Sequence, residues 1–361
     1  MQVISIPDFC DAIHYVSYLN REPIMAWGKP GVGKSDGVRS AVKRILDMLG
    51  ITFTGKHFHA QGSDRLVDIR LSQYASVDLR GMPTIEEAID GALTTWCKPS
   101  TMPFKGNARY KEDNIPIFLF LDEINSAQNS VAAVAYQLVN DKRIGEHELM
   151  DNVVIVAAGN REQDKGITNR MPTPLANRFT HFEVDVDVNA WCYWAQDKGL
   201  PPEGIAFMQF RQPLLCTFDP GKPDKAFATP RSWEKALKYY ADPRIPEHTK
   251  QQSMAGAVGE GPAAEFWGFV DVWAKMPKMS DIEKSPTTVP VPDAAAMRYA
   301  VAVAISGTME PKNTGPFNIY LERMDPEFGV LAWQLAIKRN KMITASQDFI
   351  SFSKKYRAIF A

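Results

Sequence analysis

Eight residues, GKPGVGKS from Gly28 to Ser35, constrain this chain more than any other stretch. They follow an apolar run, PIMAW (Pro23–Trp27), and precede a helical pattern from Asp36 to Leu49. Glycines weaken a packed element, because each costs backbone entropy and buries no side chain. Such a segment belongs where the backbone itself is used. Glycines let successive N–H groups turn inward, and the N-terminus of the following helix adds positive potential, so the segment forms a cradle for phosphate oxygens. The spacing is G-x-x-x-x-G-K-[ST] in the strand–loop–helix setting that this motif requires. Gly28, Lys29, Pro30, Gly31, Val32 and Gly33 would form the loop. Lys34 would reach the β- and γ-phosphates, and Ser35 would bind Mg²⁺ through its hydroxyl.

The rest of the first half fits an α/β domain with a parallel sheet, since short apolar runs alternate with helical patterns. Strands are expected near Ile24–Trp27, Lys56–Ala60, Ile117–Leu121, Val153–Ala158 and Thr180–Val186. Helices are expected at Pro7–Leu19, Ser35–Leu49 and Ser130–Asn140. Beyond Asp187 the strand signals fade, and NAWCYWAQDKG, PRSWEKALKYYA, EFWGFVDVWAKM and DAAAMRYAVAVAIS all suit helices, as do Pro326–Arg339 and Ala345–Ile359. The stretch SPTTVPVPD (Ser285–Asp293) reads as a linker or long loop. The expected division is therefore residues 1–187 as a nucleotide-binding core and 188–361 as a helical region.

Two further runs carry polar residues at the ends of buried strands. IFLFLDEIN delivers Asp122 and Glu123 to a strand's carboxyl end, where ligands sit in open α/β sheets. Asp122 would hold Mg²⁺ through water, and Glu123 would orient and deprotonate an attacking water. Read alone, the two acids could simply cap a helix. VVIVAAGN ends in Asn160, whose amide would bond the γ-phosphate and the water; alone, Gly-Asn commonly just ends a strand in a turn.

The formal net charge is −1, so no global basic field advertises nucleic acid. The longest strongly apolar run, IFLFL, is far too short to cross a bilayer. The opening MQVISIPDFC lacks the basic and apolar regions of a secretory signal, so the expected location is cytoplasmic. Cys10, Cys97, Cys192 and Cys216 stand far apart and are expected to be buried, reduced thiols. His57 and His59 share one face of a predicted strand but have no third ligand nearby, and are read as ordinary histidines. The tryptophans of NAWCYWAQ and EFWGFVDVW fall at helical spacing and are read as core. The basic residues of KSDGVRSAVKR are balanced by acids elsewhere and are not read as a nucleic-acid groove.

Taken together, GKPGVGKS, FLFLDEIN, QLVNDKRIGEHEL, VIVAAGNRE, MPTPLANRFTHFEV and ATPRSWEKA make the chain resemble the AAA+ ATPases, and within them the MoxR-like and dynein-related group. The resemblance covers about Pro23 to Leu237, in the family's order. It implies a P-loop NTPase αβα core of AAA+ type followed by a helical lid and helical C-terminal region. It also implies binding and hydrolysis of ATP with Mg²⁺. Asn160 matches the sensor-1 position. Arg178 in LANRF matches the arginine finger that enters a neighbouring subunit's site, with Arg170 in TNRM as a second candidate. Arg231 in TPRSW matches the sensor-2 arginine, which contacts nucleotide within its own subunit. Gln73–Phe104 occupies the place of a family insert, and Asp141–Asn152 that of the hairpin before sensor 1; Trp96, Arg143 and His147 are candidates for touching substrate there.

The resemblance further implies a homo-oligomeric ring, a hexamer by preference, that remodels or assembles a protein partner. A protein with a von Willebrand factor A domain is one such partner. Two other readings stay open from the sequence: a motor stimulated by nucleic acid, and a nucleotide-dependent scaffold with little turnover.

Overall fold

Every residue of Ile117–Asp122 is buried, and a strand hidden on both faces must lie inside a sheet covered on both sides. The computed structural model describes residues 1–51, 59–60, 63–88, 91–164, 171–222 and 224–356, and these bear that requirement out. Numbered along the chain, the strands are β1 (Val3–Ile4), β2 (Ile24–Trp27), β3 (His59–Ala60), β4 (Ser63–Asp64), β5 (Leu66–Arg70) and β6 (Met82–Ala88). They continue as β7 (Gly91–Cys97), β8 (Ile117–Asp122), β9 (Arg143–Ile144), β10 (His147–Glu148), β11 (Val153–Gly159) and β12 (Thr180–Val184). Six of them form one sheet in the order β1-β12-β2-β11-β8-β5, parallel throughout. β11 thus lies between β2 and β8, so the strands leading to Lys34, Asn160 and Asp122 are immediate neighbours.

The helices of this first unit are α1 (Ile6–Ala12), α2 (Lys34–Met48), α3 (Ser76–Arg80), α4 (Asn129–Asp141) and α5 (Thr173–Ala176). Side chains alternate across a sheet. Met25, Ile69, Leu119, Leu121 and Ile155 share one core with Val131, Ala135 and Leu138 of α4. On the other face α2 packs against β8 and β11, burying Val38, Ala41, Val42, Ile45 and Leu46. The result is an α/β core of P-loop type with helices on both faces of a parallel sheet. It comprises Met1–Asp185 with Asp219–Gly221.

Val186–Phe218 and Lys222–Ala361 form a second compact unit, and its described secondary structure is entirely helical. It holds α6 (Val188–Asp197), α7 (Pro202–Phe210), α8 (Pro230–Ala241), α9 (Glu247–Val258), α10 (Glu260–Trp273), α11 (Met279–Lys284), α12 (Ala295–Thr308), α13 (Thr314–Leu321), α14 (Pro326–Arg339) and α15 (Gln347–Lys355). Its core is strongly aromatic: Trp233, Trp333, Phe207, Phe266, Phe317 and Tyr320 are essentially fully buried. Trp191 joins them, as its helical spacing predicts.

Several expectations need correction. Of the strand expected at Lys56–Ala60, residues 56–58, His57 among them, lie outside the described residues, and among the described residues His59–Ala60 pairs with Ser63–Asp64 rather than with the main sheet. Among the described residues the sheet ends, beside β8, at LVDIR, Leu66–Arg70. An edge strand alternates, burying Val67 and Ile69 while Asp68 and Arg70 face solvent, so it lacks the continuous apolar run that marks the central strands. The first helix is regular only to Ala12 and continues as a π-helix over Ile13–Leu19. The last core strand stops at Val184. The Pro-rich stretch Ser285–Asp293 is a loop, one of the two readings its composition allows, and joins α11 to α12 inside the helical unit. Tyr320 Oη donates to Pro290 O at 2.8 Å and Arg323 Nη1 to Val289 O at 2.8 Å, so it is a pinned loop. Cys10 and Cys192 are buried free thiols, but Cys97 is exposed and Cys216 partly so.

Candidate active site

The phosphate-loop glycines are required one by one. Gly31 and Gly33 have φ of 77° and 103°, a region that costs other L-residues about 1–2 kcal/mol. Gly28 lies flush on the neighbouring strand, where a Cβ would stand 2.4 Å from Val184 O. Gly33 has no side chain with which to cap α2, an arrangement that leaves the helix N-terminus to an anion.

Lys34 is buried, and its Nζ donates to Gly28 O at 2.7 Å, Lys29 O at 3.0 Å and Asn160 Oδ1 at 3.3 Å. The ammonium is therefore held over the loop by its own carbonyls and by the amide expected at sensor 1. Ser35 Oγ donates to Asp122 Oδ2 at 2.9 Å, and Glu123 N–H donates to Asp122 Oδ1 at 2.9 Å. Burial pushes the Asp122 carboxyl above its usual range, against the lowering effect of those two hydrogen bonds. A buried carboxylate beside a hydroxyl is an all-oxygen donor pair suited to a hard divalent cation. Glu123 has φ 56° and ψ 36°, a left-handed turn that swings its carboxylate off the end of β8.

Three contributors escaped the sequence reading. Asn125 clasps the backbone of Asn160: its Nδ2 donates to Asn160 O at 2.6 Å, and its Oδ1 accepts from Asn160 N–H at 3.2 Å. Gly159 permits this, because a Cβ there would stand 2.5 Å from Asn125 Oδ1. Ser72 Oγ donates to Glu123 Oε2, and Arg70 Nε lies 3.5 Å from Glu123 Oε1. The Gly-Asn pair in VVIVAAGN was a usable signal for the clasp. Nothing local marks Arg70 or Ser72, since they reach the site only because β5 neighbours β8.

Lys34, Ser35, Asp122, Glu123 and Asn160 are linked by short contacts at the carboxyl ends of β2, β8 and β11. Arg178 is not among them. It is exposed beside a cavity of about 300 Å³ lined by Tyr136, Gln137, Asn140, Pro172 and Leu175, and has no acidic partner among the described residues. Arg231 is exposed at the second position of α8, in the helical unit, where Thr229 caps the helix and Pro230 starts it. Arg170 lies outside the described residues. Of the substrate-contact candidates, Arg143 is exposed and Trp96 half-buried under the Arg80 guanidinium, 4.2 Å from the ring centre. His147 is buried against Phe104 and cannot meet a substrate.

No family model matches the chain, and no curated protein does. Among solved structures the chain is similar to NtrX from Brucella abortus, at 13% identity over 98% of this chain and 68% of that one. The TM-score is 0.38, or 0.39 for the form in complex with ADP. It is also similar to Hsp104 in a closed state with ATPγS and FITC casein, at 16% identity over 73% of this chain and 44% of that one, with TM-score 0.35. Likenesses this loose carry nothing about function. No helix among the described residues is long and apolar enough to cross a membrane.

Proposed function

We propose that this chain is an AAA+ ATPase of MoxR-like type. It binds ATP with Mg²⁺, hydrolyses it within an oligomeric ring, and uses the cycle to remodel or assemble a protein partner. The observation that carries the reading is the convergence of Lys34, Ser35, Asp122, Glu123 and Asn160 on one end of the parallel sheet. A hydride or acyl-transfer site would not need a lysine and a buried carboxylate bracketing a glycine loop.

In this reading the loop amides and Lys34 bind the phosphate chain and stabilise the charge that develops on it. Ser35 and Asp122 hold Mg²⁺, which supplies further charge neutralisation when bound. Glu123 accepts the proton of the attacking water, and Asn160, fixed by Asn125, orients that water. Arg178 serves a neighbouring copy's site, in keeping with its exposure and its lack of an acidic partner among the described residues. Arg231 contacts the nucleotide of its own subunit, and Arg170 is the alternative trans arginine. Residues 1–187 serve as the nucleotide-binding core and 188–361 as the helical lid and C-terminal region. A von Willebrand factor A domain protein is a partner of the kind this function implies.

Nucleotide binding and phosphate release, measured together, test the division of roles. Lys34→Ala should lose ATP binding, whereas Glu123→Gln should bind ATP and release no phosphate. Equal loss of affinity in both variants would overturn the assignment.

A further inference from the structure

Trp27 is the last residue of β2, and Gly28 opens the phosphate loop directly after it. The Trp27 indole Nε1–H donates to His181 Nδ1 at 2.9 Å. The other ring nitrogen, His181 Nε2, lies 2.6 Å from Ala176 O at the end of α5. An indole nitrogen can only donate and a carbonyl oxygen can only accept. These two partners therefore admit one form of the imidazole, neutral with its proton on Nε2. Neither the other tautomer nor the protonated imidazole serves both.

His181 reaches both partners because β12 runs parallel to β2 beside it. His181 stands level with Met25, and Trp27, two residues on, shares that face of the sheet. The turn from α5 into β12 carries Arg178 at its middle. Arg178 N–H donates to Leu175 O at 2.9 Å, and Phe179 N–H donates to Ala176 O at 3.2 Å. Leu175 and Phe179 are buried, whereas Asn177 and Arg178 between them are exposed. α5 has only 4 residues, too few to be stable without outside support. His181 supplies such support, closing the turn through Ala176 O and fastening it to the end of β2 through Trp27.

We propose that His181 is a positioning residue for Arg178. Its two hydrogen bonds hold the turn of Arg178 at a fixed place against the strand that enters the phosphate loop. This rests on the trans role proposed above for Arg178. His181 itself touches no nucleotide; it sets where the exposed guanidinium is presented to a neighbouring copy. The arginine that a copy lends and the strand entering its own phosphate loop are thereby joined through one side chain.

Losing the clasp should impair turnover and spare nucleotide binding. His181→Phe keeps a flat ring and removes both hydrogen bonds, whereas Trp27→Phe removes only the indole N–H. In His181→Phe, ATP affinity should hold while kcat falls about ten- to a hundredfold, the cost of misplacing a catalytic group by about 1 Å. Trp27→Phe should move kcat the same way by less. Mixed with Lys34→Ala, His181→Phe should regain turnover, since some of its intact Lys34 sites then face a neighbour with His181 and Arg178 intact. A mixture of Arg178→Ala with Lys34→Ala, run beside it, tests the trans role itself. If that mixture stays inactive, the trans role fails and this inference falls with it. If it recovers and the His181→Phe mixture does not, only the positioning role is overturned. Parental turnover in His181→Phe, or loss of ATP binding in both phenylalanine variants, would also overturn it. Histidine ¹⁵N shifts read the clasp without any turnover: the signals missing from His181→Phe should be those of an Nε2–H tautomer. An Nδ1–H tautomer there would refute the clasp.

Discussion

Arg70 Nε lies 3.5 Å from Glu123 Oε1, and the Ser72 hydroxyl donates to the other oxygen of the same carboxylate. The candidate base thus rests on two partners from the edge-strand side of the sheet. Both compete with a water for the carboxylate's lone pairs.

Ser72→Ala should therefore raise turnover. A hydrogen bond to a charged group is worth roughly 1.5–3 kcal/mol, about ten- to a hundredfold in rate if all of it opposed the water; solvent that replaces the hydroxyl recovers most of it, so an increase in kcat of a few-fold to about tenfold is expected. Steady-state phosphate release at saturating ATP measures it. A kcat that is unchanged or lower would mean that Ser72 positions Glu123 rather than restrains it.

Gly28→Ala and Gly256→Ala should act in opposite directions. At Gly28 a Cβ would stand 2.4 Å from a backbone oxygen, which cannot rotate away, so the phosphate loop or β12 must shift. Overpacking of this kind costs about 1–3 kcal/mol, and ATP affinity should fall with stability. Gly256 lies within α9 with nothing near its Cβ position, and alanine there should stabilise by about 0.5–1 kcal/mol. Denaturant titrations compare the two. A neutral Gly28→Ala would contradict the close approach.

Burial raises the Asp122 carboxyl, and the sign of the pH effect follows. The folded state binds this proton more tightly than the unfolded chain does. Its contribution to stability is present below the unfolded carboxylate pKa of about 3.9 and is lost as pH rises through the higher folded value. Asp122→Asn should then melt higher than the parent at pH 7 in Mg²⁺-free buffer, with the gap narrowing as pH falls through the carboxylate range. Differential scanning calorimetry across that range decides it. An asparagine variant that melts lower at every pH would show that the hydrogen bonds from Ser35 and Glu123 outweigh burial.

Arg178 invites a mixing experiment. A trans-acting arginine in a phosphoryl-transfer site is worth about 10³–10⁵ in rate, roughly 4–7 kcal/mol. Arg178→Ala alone should bind ATP and scarcely turn over. Mixed with inactive Lys34→Ala, it should recover part of the activity, because some interfaces then join an intact Lys34 site to an intact Arg178. Normal hydrolysis by Arg178→Ala would move the role to Arg170.

Legibility from sequence followed the range of the interactions. GKPGVGKS was readable as a candidate phosphate cradle because such a cradle is built from contiguous backbone, and its glycines are forced by local φ values and by one close approach. IFLFLD and VVIVAAG were readable because a strand covered on both faces needs an unbroken apolar run. The aromatic helices of the second unit announced themselves by period.

Other features were decided between segments. LVDIR passed unseen because an edge strand buries only alternate residues, and nothing in five residues says which strand lies beside it. Arg70, Ser72 and Asn125 became site residues through pairing of β5 with β8 and through the turn after β8. Cys97 and His147 exchanged their expected environments for the same reason. One sits on a ribbon that leaves the core, and the other turns inward onto Phe104. The sequence by itself determined the phosphate loop, the buried strands and the acids at their ends, since these depend on residues adjacent in the chain. Only the tertiary structure decided what surrounds Glu123, since strand neighbours are chosen by packing across the whole sheet.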